Sequence, residues 1–174
     1  LAFERALEKY PELRQNVSLV QIVVPSRTKV PEYRDLKEYL DTLAGRINGE
    51  FSEHGWVPIH YMFRELDRTQ LLGYYRACEI ALITPLRDGM NLVAKEYVAA
   101  RDDEEGVLVL SRFTGAAHEL YEALIVNPYH IEQTADALYQ ALTMPTFEQQ
   151  ARMRSMRSMV RDFNVYRWAA RMLL

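Results

Sequence analysis

The chain has 174 residues, 49% of them hydrophobic and 26% charged, with a formal net charge of −3 and a single cysteine, Cys78. These values exclude a disordered, collagen-like or coiled-coil chain, leave no basic footprint for nucleic acid, and rule out an internal disulfide. No apolar run nears the ~18 residues of a membrane span, and no Cys/His set has zinc-ligand spacing, so neither a membrane nor a metal is expected. The length suits one domain. The chain starts at Leu1, already inside a helix-like pattern, and reads as a piece cut from something larger.

Residues 1–10 read as an exposed helix stopped by Pro11, which lacks a backbone donor and clashes with the preceding turn. Residues 17–24 are a β-branched run before Pro25, as expected of a buried strand. Between Pro31 and Gly49, Tyr33, Leu36, Leu40, Leu43 and Ile47 recur at helical spacing. A strand over 57–63 is followed by a helix over 68–78, with Leu71, Leu72 and Tyr75 on one side. A third strand spans 80–83 and ends at Thr84-Pro85. A helix over 91–100, a strand over 106–110, a helix opened by Gly115 and a short strand over 123–126 come next. Ile131, Ala135, Leu138 and Leu142 mark an amphipathic helix. Residues 147–174 carry one or two more, with Met153, Met156 and Met159 as core filler.

Five strands alternating with helices imply an α/β fold, a Rossmann-like three-layer parallel sheet followed by C-terminal helices from about residue 130. Ligands of such sheets bind beyond the carboxyl ends of the strands. Chemistry is therefore expected in the loops 25–30, 63–68, 84–91 and 111–116.

The loop at 84–91 is the most informative. A strand ends, Gly89 is free to take unusual backbone angles, and a helix begins near Met90 or Asn91. The first amides of that helix lack internal partners, and its dipole adds partial positive charge, which suits a diphosphate. Asp88 and Glu96 are eight positions apart, on the order of 10 Å along the axis. That separation exceeds the roughly 6.5–9.5 Å of an inverting acid/base pair, and suits two ends of one elongated ligand, a sugar hydroxyl and a ribose. The residues alone equally allow an Asp that caps the helix and a solvated Glu. His54, His60, His118 and His130 pair with no acid or nucleophile at a recognisable spacing, and Ser111 has no accompanying base. Cys78 reads as buried, Trp56 and Trp168 as packing residues, Lys95 as solvated and Arg46 as an ion-pair partner on its helix.

The run Arg87-Asp88-Gly89-Met90-Asn91-Leu92-Val93-Ala94-Lys95-Glu96-Tyr97 resembles the donor-binding signature of trehalose-phosphate synthases. These are retaining glycosyltransferases with two facing Rossmann-like domains, the GT-B fold. Pro25-Ser26-Arg27-Thr28, Gly45-Arg46-Ile47-Asn48-Gly49, Val107-Leu108-Val109-Leu110-Ser111, Gly115-Ala116-Ala117 and Ala123-Leu124-Ile125-Val126-Asn127-Pro128 extend the likeness, which weakens after Met144.

The resemblance implies that residues 1–174 form a single domain, the C-terminal, donor-binding half, with the N-terminal acceptor domain absent. Asp88 would contact hydroxyls of the transferred glucose as the catalytic residue. Main-chain amides from Gly89 to Leu92 would hold the diphosphate, with Met90, Asn91, Leu92 and Val93 at the nucleotide site. Glu96 would accept hydrogen bonds from the ribose, Leu71 would pack near the uracil, and backbone near Leu66 would read its edge. Arg27 would grip the acceptor phosphate, although by itself it reads as a solvated loop charge. The implied reaction moves glucose from UDP-glucose to glucose 6-phosphate with retention, without cofactor or metal. The implied partners are UDP-glucose, glucose 6-phosphate and the missing domain, in a cytoplasmic protein whose homo-oligomeric state is open. Four alternatives stand beside it: glycerol 3-phosphate as acceptor, GDP as the donor nucleotide, a non-catalytic regulatory domain, and an unrelated flavodoxin-like binding domain. The 174 residues alone are expected to bind UDP weakly and turn over nothing.

Overall fold

A computed structural model describes residues 1–25 and 31–163. The chain divides near Arg68 into two compact units.

In the first unit, helix α1 (Ala2–Lys9) has Phe3, Ala6 and Leu7 buried on one face. The expectation of an exposed helix is corrected by that i, i+3, i+4 stripe, which Glu4, Arg5, Glu8 and Lys9 around it disguise. Strand β1 (Leu19–Val23) pairs in parallel with β2 (Ile59–Phe63), Leu19 lying opposite Ile59. Between them runs helix α2 (Pro31–Phe51). Its apolar stripe is only half used: Ala44, Ile47 and Phe51 are buried, whereas Tyr33, Leu36 and Tyr39 stay exposed. The Asn48 carboxamide donates to the Ile59 carbonyl and accepts from the Ile59 amide, both at 2.9 Å, and so pins α2 to the start of β2. Arg46 pairs with Glu50 on its own helix at 3.4 Å, the ion-pair role expected of it, and also with Glu4 of α1 at 2.6 Å.

The second unit contains α3 (Arg68–Ala77), β3 (Ile80–Ile83), α4 (Leu92–Ala100), β4 (Val107–Ser111), a 3₁₀ turn (Gly115–His118), β5 (Leu124–Val126), α5 (Ile131–Leu142) and α6 (Thr146–Asp162). β4 is the central strand of the parallel ladder β3-β4-β5, and all five of its residues are buried. Alternate side chains of a strand point to opposite faces. Leu108 and Leu110 accordingly pack with Ala94, Tyr97, Val98, Met153 and Met156, while Val107 and Val109 pack with Ala137, Ala141 and Met144. α4 and α6 thus cover one face and α5 the other, giving three layers, with Met153 and Met156 in the core as expected.

The five strands expected in one sheet are hydrogen-bonded as two ladders, β1-β2 and β3-β4-β5. Hydrophobic pattern identifies a strand, but says nothing of which edge it pairs through. Among the described residues no helix is long and apolar enough to cross a membrane.

The far end of α4 is anchored by Arg101, 4% exposed. Its guanidinium donates to the carbonyls of Arg76 (2.8 Å), Cys78 (2.9 Å) and Glu105 (2.9 Å) and to the Asp103 carboxylate (3.1 Å). These bonds tie the end of α3 to the end of α4. Replacing Arg101 by Met leaves several carbonyls without a donor, and is expected to destabilise the fold by about 3 kcal/mol or more. Urea denaturation measures this, and a loss below about 1 kcal/mol would remove the anchoring role.

Candidate functional site

The candidate site is built on the loop joining β3 to α4. Asp88 Oδ1 accepts from the amides of Met90 (3.1 Å) and Asn91 (3.0 Å), and Oδ2 accepts from Asn91 Nδ2 at 3.0 Å. Asn91 Oδ1 in turn accepts from the Ala94 amide at 2.8 Å, so Asn91, not Asp88, is the N-cap of α4. The unusual backbone angle also belongs to Asn91, at φ 69°, rather than to Gly89. Asparagine tolerates that region because its short side chain bonds locally, here at both ends. α4 begins at Leu92, one or two residues later than the sequence suggests.

This network changes which amides are open to an anion. Those of Met90 and Asn91 are committed to Asp88, whereas the Leu92 and Val93 amides donate to no protein group among the described residues. The Met90, Leu92 and Val93 side chains are exposed, giving an apolar surface around those free donors.

A second loop braces the first. The Asp88 amide donates to the Phe113 carbonyl (3.1 Å), Gly115 to Asp88 (3.2 Å) and Ala116 to Met90 (2.8 Å). The approach is so close that a Cβ on Gly115 would lie 2.2 Å from the Gly89 carbonyl oxygen. Ser111 is wholly buried and its hydroxyl accepts from the Phe113 amide, a structural task. Beside the loop lies a cavity of about 440 Å³ whose lining includes Arg87, Arg112 and His118. None of these three pairs with a carboxylate among the described residues.

Glu96 is exposed on α4, and Tyr75 of α3 donates its hydroxyl to Oε2 at 3.1 Å. Burial, then the neighbouring Glu96 charge, pushes the Tyr75 phenol well above its usual range. Leu71 precedes Tyr75 by one helical turn and shares its face of α3. The structure therefore places Asp88, Gly89, Met90, Asn91, Leu92, Val93 and Glu96 on one loop and the helix it opens, with Leu71 on the face of α3 that carries Tyr75. Leu66 is half-buried in the loop after β2, in the first unit, and Arg27 lies outside the described residues.

Lys95 is not solvated but bonded to Glu119 at 2.7 Å. Cys78 is partly buried, and burial raises its thiol above the usual range, as an inert cysteine requires. Two residues that support the site carry no functional signal in the sequence: Tyr75 reads as one apolar position among several and Gly115 as a helix opener, although a glycine after a strand can signal close backbone approach.

Residues 1–174 match glycosyltransferase family 20. The trehalose-6-phosphate synthase of Klebsiella pneumoniae is 50% identical over 172 residues, which cover 98% of this chain and 36% of that protein. A UDP-forming trehalose-phosphate synthase from Burkholderia xenovorans, solved in complex with glucose-6-phosphate, superposes with a TM-score of 0.96 at 49% identity. It covers 99% of this chain and 38% of its own. The E. coli protein solved with UDP-2-fluoro glucose gives 0.96 at 45%, with the same coverage. The chain belongs to glycosyltransferase family 20, and spans under two-fifths of the length of these relatives.

A Gly115→Ala change must push the two braced loops apart. The expected cost is about 1–3 kcal/mol in chemical denaturation, the range for overpacking a filled site. Wild-type stability in the variant would mean that the loops approach less closely.

Proposed function

We propose that this chain is the donor-binding part of an enzyme that transfers glucose from UDP-glucose to glucose 6-phosphate, giving trehalose 6-phosphate and UDP. The observation that carries the reading is the β3–α4 loop, where an anchored Asp88, two open helix amides and Glu96 follow one another along a single element. The names of the relatives and the ligands of two solved neighbours support it.

In this reading the amides of Leu92 and Val93 and the positive end of α4 meet the donor diphosphate. Asp88 touches glucose hydroxyls through the acceptor capacity that its own turn leaves free. Glu96 accepts from the ribose, and Leu71 packs near the base. Arg27 takes the acceptor phosphate, a task suited to a guanidinium fork. Asp88 already accepts from three donors, so it is poorly placed to serve as a covalent nucleophile. Retention then follows a front-face path: the bond from the anomeric carbon to the diphosphate breaks, the acceptor hydroxyl bonds to the same face, and the leaving diphosphate takes its proton. The protein contributes orientation and stabilisation of leaving-group charge, and the reading calls on no cofactor. Most of the acceptor pocket and further cations for the diphosphate come from sequence outside these 174 residues, in a cytoplasmic enzyme.

The test is glucose transfer from UDP-glucose to glucose 6-phosphate by the full-length protein. Asp88→Ala is expected to lower kcat/KM by about 10–150-fold, the worth of a hydrogen bond to a charged group. Unchanged turnover in that variant would end the catalytic assignment. Saturating UDP should also raise the melting temperature, since a ligand held only by the folded state stabilises it.

A further inference from the structure

The Tyr75 hydroxyl reaches Glu96 Oε2 at 3.1 Å from a neighbouring helix. Its ring has little freedom. It stands edge-on to Tyr97, with centroids 6.3 Å apart and planes at 81°. Tyr97 is itself fully buried, its hydroxyl donating to the Glu79 carbonyl at 3.2 Å. Glu96, by contrast, is exposed. An exposed glutamate samples many rotamers, and gives that freedom up when a ligand fixes it. A bond to a rigid tyrosine removes part of the freedom beforehand.

The chemistry of the pair is one-directional. Burial, and the Glu96 charge beside it, hold the phenol protonated well past its ordinary range, so Tyr75 stays a donor and the carboxylate an acceptor. A carboxylate has about four acceptor positions. Tyr75 occupies one on Oε2, while Oε1 has no protein partner among the described residues. Adjacent hydroxyls fit what remains.

We infer that Tyr75 is a positioning residue that holds the Glu96 carboxylate for a vicinal diol, so that the site selects a ribonucleotide over its 2′-deoxy counterpart. This rests on the reading of Glu96 as the ribose acceptor. A site arranged to bond a hydroxyl rejects a ligand lacking it, because its polar group is then left without the partner. The rejection depends on the carboxylate being held; a mobile one turns to water instead.

The experiment measures Kd for UDP and for 2′-deoxy-UDP by calorimetry on the full-length protein, as wild type, Tyr75→Phe and Glu96→Gln. Tyr75→Phe keeps the ring and its packing on Tyr97, and thermal melting checks its fold. UDP binding is expected to weaken about three- to tenfold in Tyr75→Phe, the worth of one net hydrogen bond, while 2′-deoxy-UDP binding changes less. Preference for the ribonucleotide falls accordingly, and falls further in Glu96→Gln. Equal weakening of both ligands in Tyr75→Phe makes Tyr75 merely structural and overturns the inference. So does a Tyr75→Phe variant that matches wild type while Glu96→Gln loses the preference, an outcome that leaves the reading of Glu96 standing. If Glu96→Gln itself binds UDP as wild type does, the ribose reading falls and the inference falls with it.

Discussion

The carboxylate of Asp88 sets the shape on which the rest of the site depends. It holds the amides of Met90 and Asn91 and the side chain of Asn91, which in turn caps α4 through Ala94. Two linked Asx side chains therefore convert the end of a strand into the start of a helix within a few residues. The cap also fixes which amides remain open. Charge on Asp88 and positive potential at the helix terminus coexist because the side chain bonds sideways into its own turn and leaves Leu92 and Val93 uncovered.

That turn is rigid because it is held from below as well as from within. Three main-chain bonds from residues 113–116 brace it, and Gly115 permits the contact by having no side chain. The braced segment follows β4, whose residues are buried on both faces by α4, α6 and α5. A route of packed atoms thus runs from the core methionines through β4 to the loop. At its other end α4 is tied to α3 by the Arg101 guanidinium, and midway by Tyr75 and Glu96. Each fastening uses a different chemistry, and together they fix α3 and α4 relative to the loop.

The strands and helices were largely legible because apolar residues repeat with period two or near 3.6, and proline or glycine punctuates them. The loop was legible for a different reason: Asp88, Gly89 and Asn91 stand together after a buried strand. What stayed hidden needed distance information. Gly89 looked like the residue with the unusual backbone, but Asn91 takes that angle because its side chain bonds Asp88 and Ala94 at once. Lys95 looked solvated, and its partner Glu119 is 24 residues away in sequence. The exposed half of α2 obeys the same periodicity as the buried half, so pattern alone could not divide them. Pairing of five strands into two ladders likewise depends on edges that hydropathy does not mark.

The loop's shape is fixed by main-chain bonds, by Asp88 and Asn91, and by the bare Cα of Gly115, whereas the side chains of Met90, Leu92 and Val93 project into solvent and carry none of that architecture. Frame and surface are therefore separable. Substitutions at 90, 92 and 93 can accumulate without disturbing the turn beneath them, so a lineage can retune what the loop touches while its geometry stays constant. The same two loops confine inheritance elsewhere: position 115 admits hydrogen and little else.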